Sequence, residues 1–161
     1  MQQFKETQRF NQWWLRILFL AILIVALSPL FAQKIGPGSN IELVSVLISV
    51  VIITSIFLAI YFLFKLDTII GPGGIQYKFF PFHIKYRKIP WQRVRDIKVI
   101  TYNPIRDYGG WGYRLTLRKK RALSVKGKIG IQIAFKDGNT LLLGTQRPQL
   151  AEQAINEFKT A

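Results

Sequence analysis

LVSVLISVVIITSIFLAIYFLFKLDTIIGPGGIQYKFF, residues 43–80, changes character in its middle. The 22 residues from Leu43 to Phe64 carry no charge at all. As a helix rising about 1.5 Å per residue, they reach across the ~30 Å hydrocarbon layer of a bilayer with some tilt. From Asp67 the pattern alternates with period two around the Gly71 to Gly74 turn, which predicts two short strands joined as a hairpin. Nothing resembling a linker separates the two patterns, since only Lys65, Leu66 and Asp67 lie between. The stretch therefore predicts a membrane helix that runs directly into a β domain held against the bilayer.

Working back from Leu43, a second apolar run, LRILFLAILIVALSPLFA, covers Leu15 to Ala32. Arg16 stands at its leading edge and Pro29 near its far end, and the run is still long enough to span. Trp13 and Trp14 suit the membrane interface, where Arg16 can extend its charge toward the headgroups. A cleavable signal peptide over residues 1–32 is the competing reading, given the basic start at Lys5 and Arg9 and the small Ala32 at the end of the run. Against it stand Leu30, which is not small, and the paired tryptophans. In either case the second helix delivers the C-terminal part to the cytoplasm. The eight-residue loop QKIGPGSN holds the helices as a tight antiparallel hairpin, and Ser39 with Glu42 reads as a capping box at the start of the second helix.

Charge gives the orientation. The chain has 161 residues and a net charge of +15. Residues 67–161 hold 18 Lys and Arg against six acidic residues, a net of +12, whereas Lys34 is the sole basic residue between the two apolar runs. Positive charge stays inside, so both termini are expected in the cytoplasm of a multi-pass inner or plasma membrane protein. A surplus of this size points to a polyanion, either anionic lipid or nucleic acid. The lack of cysteine fits a reducing compartment.

Beyond the first hairpin, HIKYRKI sets Ile84 and Tyr86 against Lys85 and Arg87, and RVRDIKVITY sets Ile97 and Val99 on one face. YRLTLR places Tyr113, Leu115 and Leu117 inward and Arg114, Thr116 and Arg118 outward. IQIAFK and NTLLL meet across Asp137 and Gly138 as a hairpin. A last helix opens at Pro148, with Leu150, Ala154, Ile155 and Phe158 as its apolar stripe. Short strands closed by one amphipathic helix predict a small curved sheet or barrel.

The start Gly74-Ile75, the turn Ile89-Pro90-Trp91, the strand after it and the terminal helix resemble the bacterial pleckstrin-homology-like domains tethered by two transmembrane helices. YNPIRDYGGWGYR, IQIAFKDG and GTQRP are similar to one uncharacterised branch of that group, over roughly residues 41–161. The resemblance implies a seven-stranded bent barrel capped by a C-terminal helix, serving binding or assembly without an established enzymatic role.

The residues themselves offer little catalytic chemistry. The one histidine, His83, lies among aromatic and apolar neighbours in FPFHIKY and reads as structural. No zinc-ligand spacing exists, and Asp96, Asp107 and Asp137 are accounted for by turns and charge compensation. GPGG at Gly71 to Gly74 lacks the Lys and the following helix of a phosphate loop, and GGWG at Gly109 to Gly112 fails the dinucleotide pattern. We expect no enzyme activity, no cofactor, no metal and no small-molecule substrate.

What remains is surface. Arg114, Arg118, Lys119, Lys120 and Arg121 form a cationic ledge beside Trp111, and with Lys85 and Arg87 they are the expected contacts to anionic phospholipid of the inner leaflet, each worth about 1 kcal/mol where it reaches the surface. The bland alternative is a solvated hairpin that obeys cytoplasmic positive bias. Lys78, Lys85, Arg87 and Ile89 also match a phosphoinositide-binding pattern, a cheap match in so basic a domain. The loop Tyr108, Gly109, Gly110, Trp111, or an open strand edge, is the expected docking place for a protein partner. Interleaved aromatic and basic residues raise nucleic acid as a partner, but no RNP-like run is present and a membrane tether argues against it, so none is expected.

The sequence thus predicts a membrane α-helical hairpin plus a small all-β, PH-like bent barrel capped by a C-terminal helix. Residues 1–12 form a cytoplasmic segment, 13–66 the hairpin (helices at about 14–32 and 42–65), and 67–161 the cytoplasmic domain. The expected role is a non-enzymatic, membrane-anchored binding or regulatory module. The alternative is an accessory subunit of a larger membrane complex, in which case Ser45 and Ser49 line a helix-packing seam.

Overall fold

The computed structural model describes residues 3–32, 40–116 and 120–159. It divides into two units, one covering Asn11–Leu63 and the other joining the residues up to Phe10 with those from Phe64 onward. The helical unit is therefore an insertion in the chain of the β unit.

Within the helical unit, α1 (Trp13–Ala32) and α2 (Asn40–Leu63) pack side by side. Leu15 and Phe19 share a groove with Ile56, Phe57 and Ile60, so the helices run antiparallel, and Phe19 stacks on Phe57 with ring centroids 4.1 Å apart. The large apolar side chains Ile24, Val25, Leu47 and Val51 are exposed. Leu43–Leu63 is long and apolar enough to cross a membrane, and Trp13–Pro29 is apolar but shorter. The hydroxyl of Ser49 donates to the Ser45 carbonyl one turn back at 2.9 Å, a bond made inside its own helix. The expected capping serine, Ser39, and the loop before it lie outside the described residues.

The β unit holds two sheets. The first has the order β1-β2-β3-β4, from β1 (Phe4–Arg9), β2 (Lys65–Gly71), β3 (Gly74–Phe80) and β4 (Arg87–Ile89), all antiparallel. The second has the order β5-β8-β9-β7-β6, from β5 (Val94–Thr101), β6 (Gly112–Leu115), β7 (Lys120–Ser124), β8 (Ile129–Phe135) and β9 (Thr140–Gly144). Its pairs are antiparallel except β7 with β9, which run parallel. Phe4, Leu66, Ile70, Ile75 and Phe79 from the first sheet meet Ile97, Leu123, Ile131, Ile133 and Leu143 from the second in one core. A C-terminal helix, α4 (Pro148–Lys159), adds Ala151, Ala154, Ile155 and Phe158 to that core.

The β2–β3 turn is tight because Gly74 sits at φ 112°, and a Cβ there would collide with the carbonyl oxygen of Ile89 on β4. The sequence reading of this hairpin, and of β8 with β9, agrees with the structure.

Strand β1 is the element the sequence pattern hides. Its inward side chains are Phe4, Glu6 and Gln8, all buried, so the alternation is real but two of its three buried members are polar. The Glu6 carboxylate accepts from Thr145 Oγ1 at 2.7 Å and from the Gln146 amide at 2.8 Å, and Gln8 Nε2 donates to the Gly144 carbonyl at 2.6 Å. Thr7 Oγ1 donates to Asp67 Oδ1 at 2.7 Å on the other face. Burying a Phe side chain is worth about 2–3 kcal/mol, and hydrogen bonds to a charged group contribute about 1.5–3 kcal/mol each. β1 is thus held at least as much by its polar latch as by Phe4.

Three details of the expected pattern differ. HIKYRKI is a strand only from Arg87 to Ile89: the His83 amide closes a turn on the Phe79 carbonyl at 2.8 Å, Pro81 supplies no donor, and Ile84 is 77% exposed. YRLTLR ends as a strand at Leu115, which is 66% exposed because Thr116 already turns back to the Lys120 carbonyl at 2.9 Å. Leu117 is outside the described residues. On α4 the buried stripe begins at Ala151, and Leu150 is half exposed, since one residue on a helix is a rotation of about 100°.

Candidate functional site

The loop YNPIRDYGGWG folds as a small capped helix, α3 (Pro104–Tyr108). The Asn103 side chain accepts from the Ile105 and Arg106 amides at 3.1 Å, and Asp107 returns the favour by accepting from the Asn103 amide at 2.8 Å. That amide bond is the main reason the Asp107 carboxyl is held below its ordinary range. Gly109 ends the helix at φ 72°, with its amide on the Ile105 carbonyl and that of Gly110 on Pro104, the left-handed stop that glycine takes most easily. Trp111 Nε1 then donates to the Gly127 carbonyl at 2.9 Å, tying the loop to the β7–β8 turn.

The expected partner-binding residues Tyr108, Gly109, Gly110 and Trp111 therefore form one internally bonded cap. Tyr108 packs edge-on against the buried Tyr102 at 5.8 Å, over Ala122 and Leu142 on the outer face of the second sheet. Burial raises the pKa of both phenols. A groove of about 670 Å³ runs beside the cap, between Ile100, Tyr108, Leu115 and Lys120.

The cationic residues expected to form one ledge are distributed. Arg118 and Lys119 lie outside the described residues. Arg114 folds back, its Nε donating to the Trp111 carbonyl at 3.1 Å. Lys120 and Arg121 are neighbours on β7 and so face opposite ways. Lys120 lines the groove beside the cap, whereas Arg121 lines a separate pocket together with Arg87 and Tyr77. Lys85 is exposed on the segment between β3 and β4. Of the seven residues, the structure brings together Arg87 and Arg121.

Why these two meet is a matter of register. Arg87 on β4 stands opposite Tyr77 on β3, and Arg121 is the second residue of β7 in the other sheet. Both guanidinium charges act on the Tyr77 phenol, where burial, the larger effect, still raises the pKa. They also act on His83, which is buried between the rings of Tyr77 (5.6 Å) and Tyr113 (5.7 Å). Burial first, and then the two arginines, lower the His83 pKa from its ordinary 6.5, so the ring is neutral at neutral pH. Its Nδ1 faces the Phe79 amide at 3.4 Å as acceptor, which leaves the proton on Nε2. Among the described residues no carboxylate bonds His83, and no three metal-ligating side chains gather.

The chain matches no protein-family model and no curated protein. Sequence order alone gave no hint that Arg87 and Arg121 share a site, because they lie 34 positions apart on different sheets. The Lys78, Lys85, Arg87 pattern does not assemble: Lys78 lies on the opposite side of β3 from Tyr77, with its ammonium 5.9 Å from the Phe80 ring and 5.8 Å from that of Tyr86.

Proposed function

We propose that this protein is a non-enzymatic, membrane-anchored binding module: a two-span helical hairpin whose bent-barrel, PH-like domain works at the inner leaflet. The observation that carries this reading is the pairing of β1 with β2, in register from Phe4↔Ile70 to Arg9↔Lys65, on either side of the inserted helices. Strands of one sheet lie on one side of a membrane, so an insert between them crosses an even number of times. α2 is long and apolar enough to cross. Its return partner is then α1, whose 20 helical residues reach about 30 Å. Cleavage after Ala32 would remove β1 and unseat the buried Glu6 and Gln8, which favours a retained first helix.

Orientation follows from charge: 18 of the 23 basic residues lie in residues 67–161, and Lys5, Arg9 and Lys65 flank the same ends. The connections between the strands and the helices are short, residues 10–12 on one side and Phe64 on the other. Two sheets around one core with a closing C-terminal helix support the PH-like reading, with β1 and the parallel β7–β9 pair as departures from it. At about 1 kcal/mol per basic residue that reaches an anionic surface, a few contacts suffice once tethering has raised the local concentration to the millimolar range. The capped α3 loop is the surface left for a protein partner.

The test is amide hydrogen exchange on the full chain in nanodiscs. Phosphatidylglycerol discs should protect basic segments of the β unit relative to phosphatidylcholine discs, and added salt should reverse this. Equal exchange in both lipids would count against inner-leaflet adhesion.

A further inference from the structure

We propose that the pocket shared by β4 and β7 is a binding site for a phosphate monoester. It encloses about 390 Å³, within the range of small-ligand clefts. Tyr77, Ile89 and Phe135 are its buried floor, and Arg87, Lys88, Arg93 and Arg121 its cationic walls. The one acidic residue of the lining, Asp137, is already engaged, by Arg93 at 4.0 Å and by the Asn139 amide at 3.0 Å. Arg93 also lies over the Phe135 ring at 6.0 Å. Arg87, Lys88 and Arg121 remain uncompensated, since no described carboxylate lies within ion-pair range of them.

The two guanidinium groups are close enough to act on the same two buried side chains, Tyr77 and His83, and His83 brings no negative charge. Like charges held around one concavity repel, and an anion in their midst removes that cost. Guanidinium forks match tetrahedral phosphate oxygens in pairs. A phosphate monoester carries about −1.5 to −2 near neutral pH, which answers the two guanidinium groups of Arg87 and Arg121 better than a single carboxylate or a phosphodiester. Ile89 and Phe135 offer apolar surface for its substituent. The ester is either a free metabolite or the headgroup of a phosphomonoester lipid. The site rests on the β unit alone, so its failure would leave the inner-leaflet reading to be judged by its own exchange experiment.

Full-length protein in detergent micelles would be titrated with inorganic phosphate and with glycerol 3-phosphate against matched chloride, following thermal unfolding. Nanodiscs of phosphatidylcholine carrying phosphatidic acid would be compared with discs carrying phosphatidylglycerol. We expect saturable stabilisation by a monoester in at least one arm, weakened about tenfold or more by Arg87→Gln or Arg121→Gln and unchanged by Lys98→Gln, an exposed β5 residue outside the pocket lining. Response to glycerol 3-phosphate identifies a soluble ligand, and response to phosphatidic acid alone identifies a lipid. Should the arginine variants not fold, the guanidinium NMR signals of Arg87 and Arg121 in the unaltered chain must shift on titration. Absence of saturable response in every arm, or unshifted arginine signals, would overturn the assignment.

Discussion

Arg9 and Lys65 face each other across β1 and β2, although the whole helical unit, Asn11–Leu63, lies between them in the chain. Next to this pair, Phe10 and Phe64 meet edge to face at 6.0 Å, and both pack against the core of the β unit. The chain thus leaves the sheet and returns to it at neighbouring positions.

The polar latch of β1 makes the first prediction. Glu6→Ala removes two hydrogen bonds and leaves the buried Thr145 hydroxyl without its acceptor. A loss of about 2–3 kcal/mol is expected, seen as a fall in Tm on the order of 5–10 °C in micelles. An unchanged Tm would mean that β1 is not seated as described.

His83 makes the second. A base whose folded pKa lies below its unfolded value costs nothing above the unfolded value of 6.5 and withdraws stability as pH falls below it. Protonation would also set a proton on Nδ1 against the Phe79 amide. Melting temperature should therefore fall between about pH 7 and about pH 5.5, and His83→Gln should flatten that dependence. An equal pH dependence in both proteins would remove His83 as its source.

The face of α4 makes the third. Leu150 is half exposed, and Ala151 is fully buried against the core. Leu150→Gln should change stability by less than about 0.5 kcal/mol, whereas Ala151→Leu should cost about 1–3 kcal/mol through overpacking. Chemical unfolding midpoints of the two variants check the assignment, and the reverse order would put the sequence-derived stripe back in place.

At Gly109 the cost is conformational, because beyond its own chain neighbours nothing stands within 4 Å of where a Cβ would lie. Gly109→Ala at φ 72° should cost about 1 kcal/mol. Local hydrogen exchange at residues 104–111 would rise with it, while a silent substitution would show that the cap does not hold the loop.

Much of this architecture can be read before any coordinates. The uncharged run from Leu43 to Phe64 reads as a long apolar helix and forms one, and the Gly71 to Gly74 turn between alternating strands reads as a hairpin and forms one. Pro148 marks the start of α4 because a first-turn residue needs no amide partner. β1 was not legible, since Glu6 and Gln8 look like solvent-facing residues until Thr145, Gln146 and Gly144 come round to bond them. Nor was the pocket: Arg87 gains its meaning from Arg121 on another sheet, a relation fixed by topology rather than by spacing. The ledge failed as a single surface for a simple reason of pleat, which sends Lys120 and Arg121 to opposite faces.

In the proposed arrangement the insertion crosses the bilayer twice and returns to the side it left. The chain contains no cysteine, so single cysteines at Gln3, at Lys136 in the β8–β9 turn, and between the two helices can be labelled one at a time. With a membrane-impermeant maleimide on intact cells, the cysteine between the helices should label, and those at positions 3 and 136 should stay protected until the membrane is opened. Opposite labelling of positions 3 and 136, or equal labelling of all three, would contradict the account.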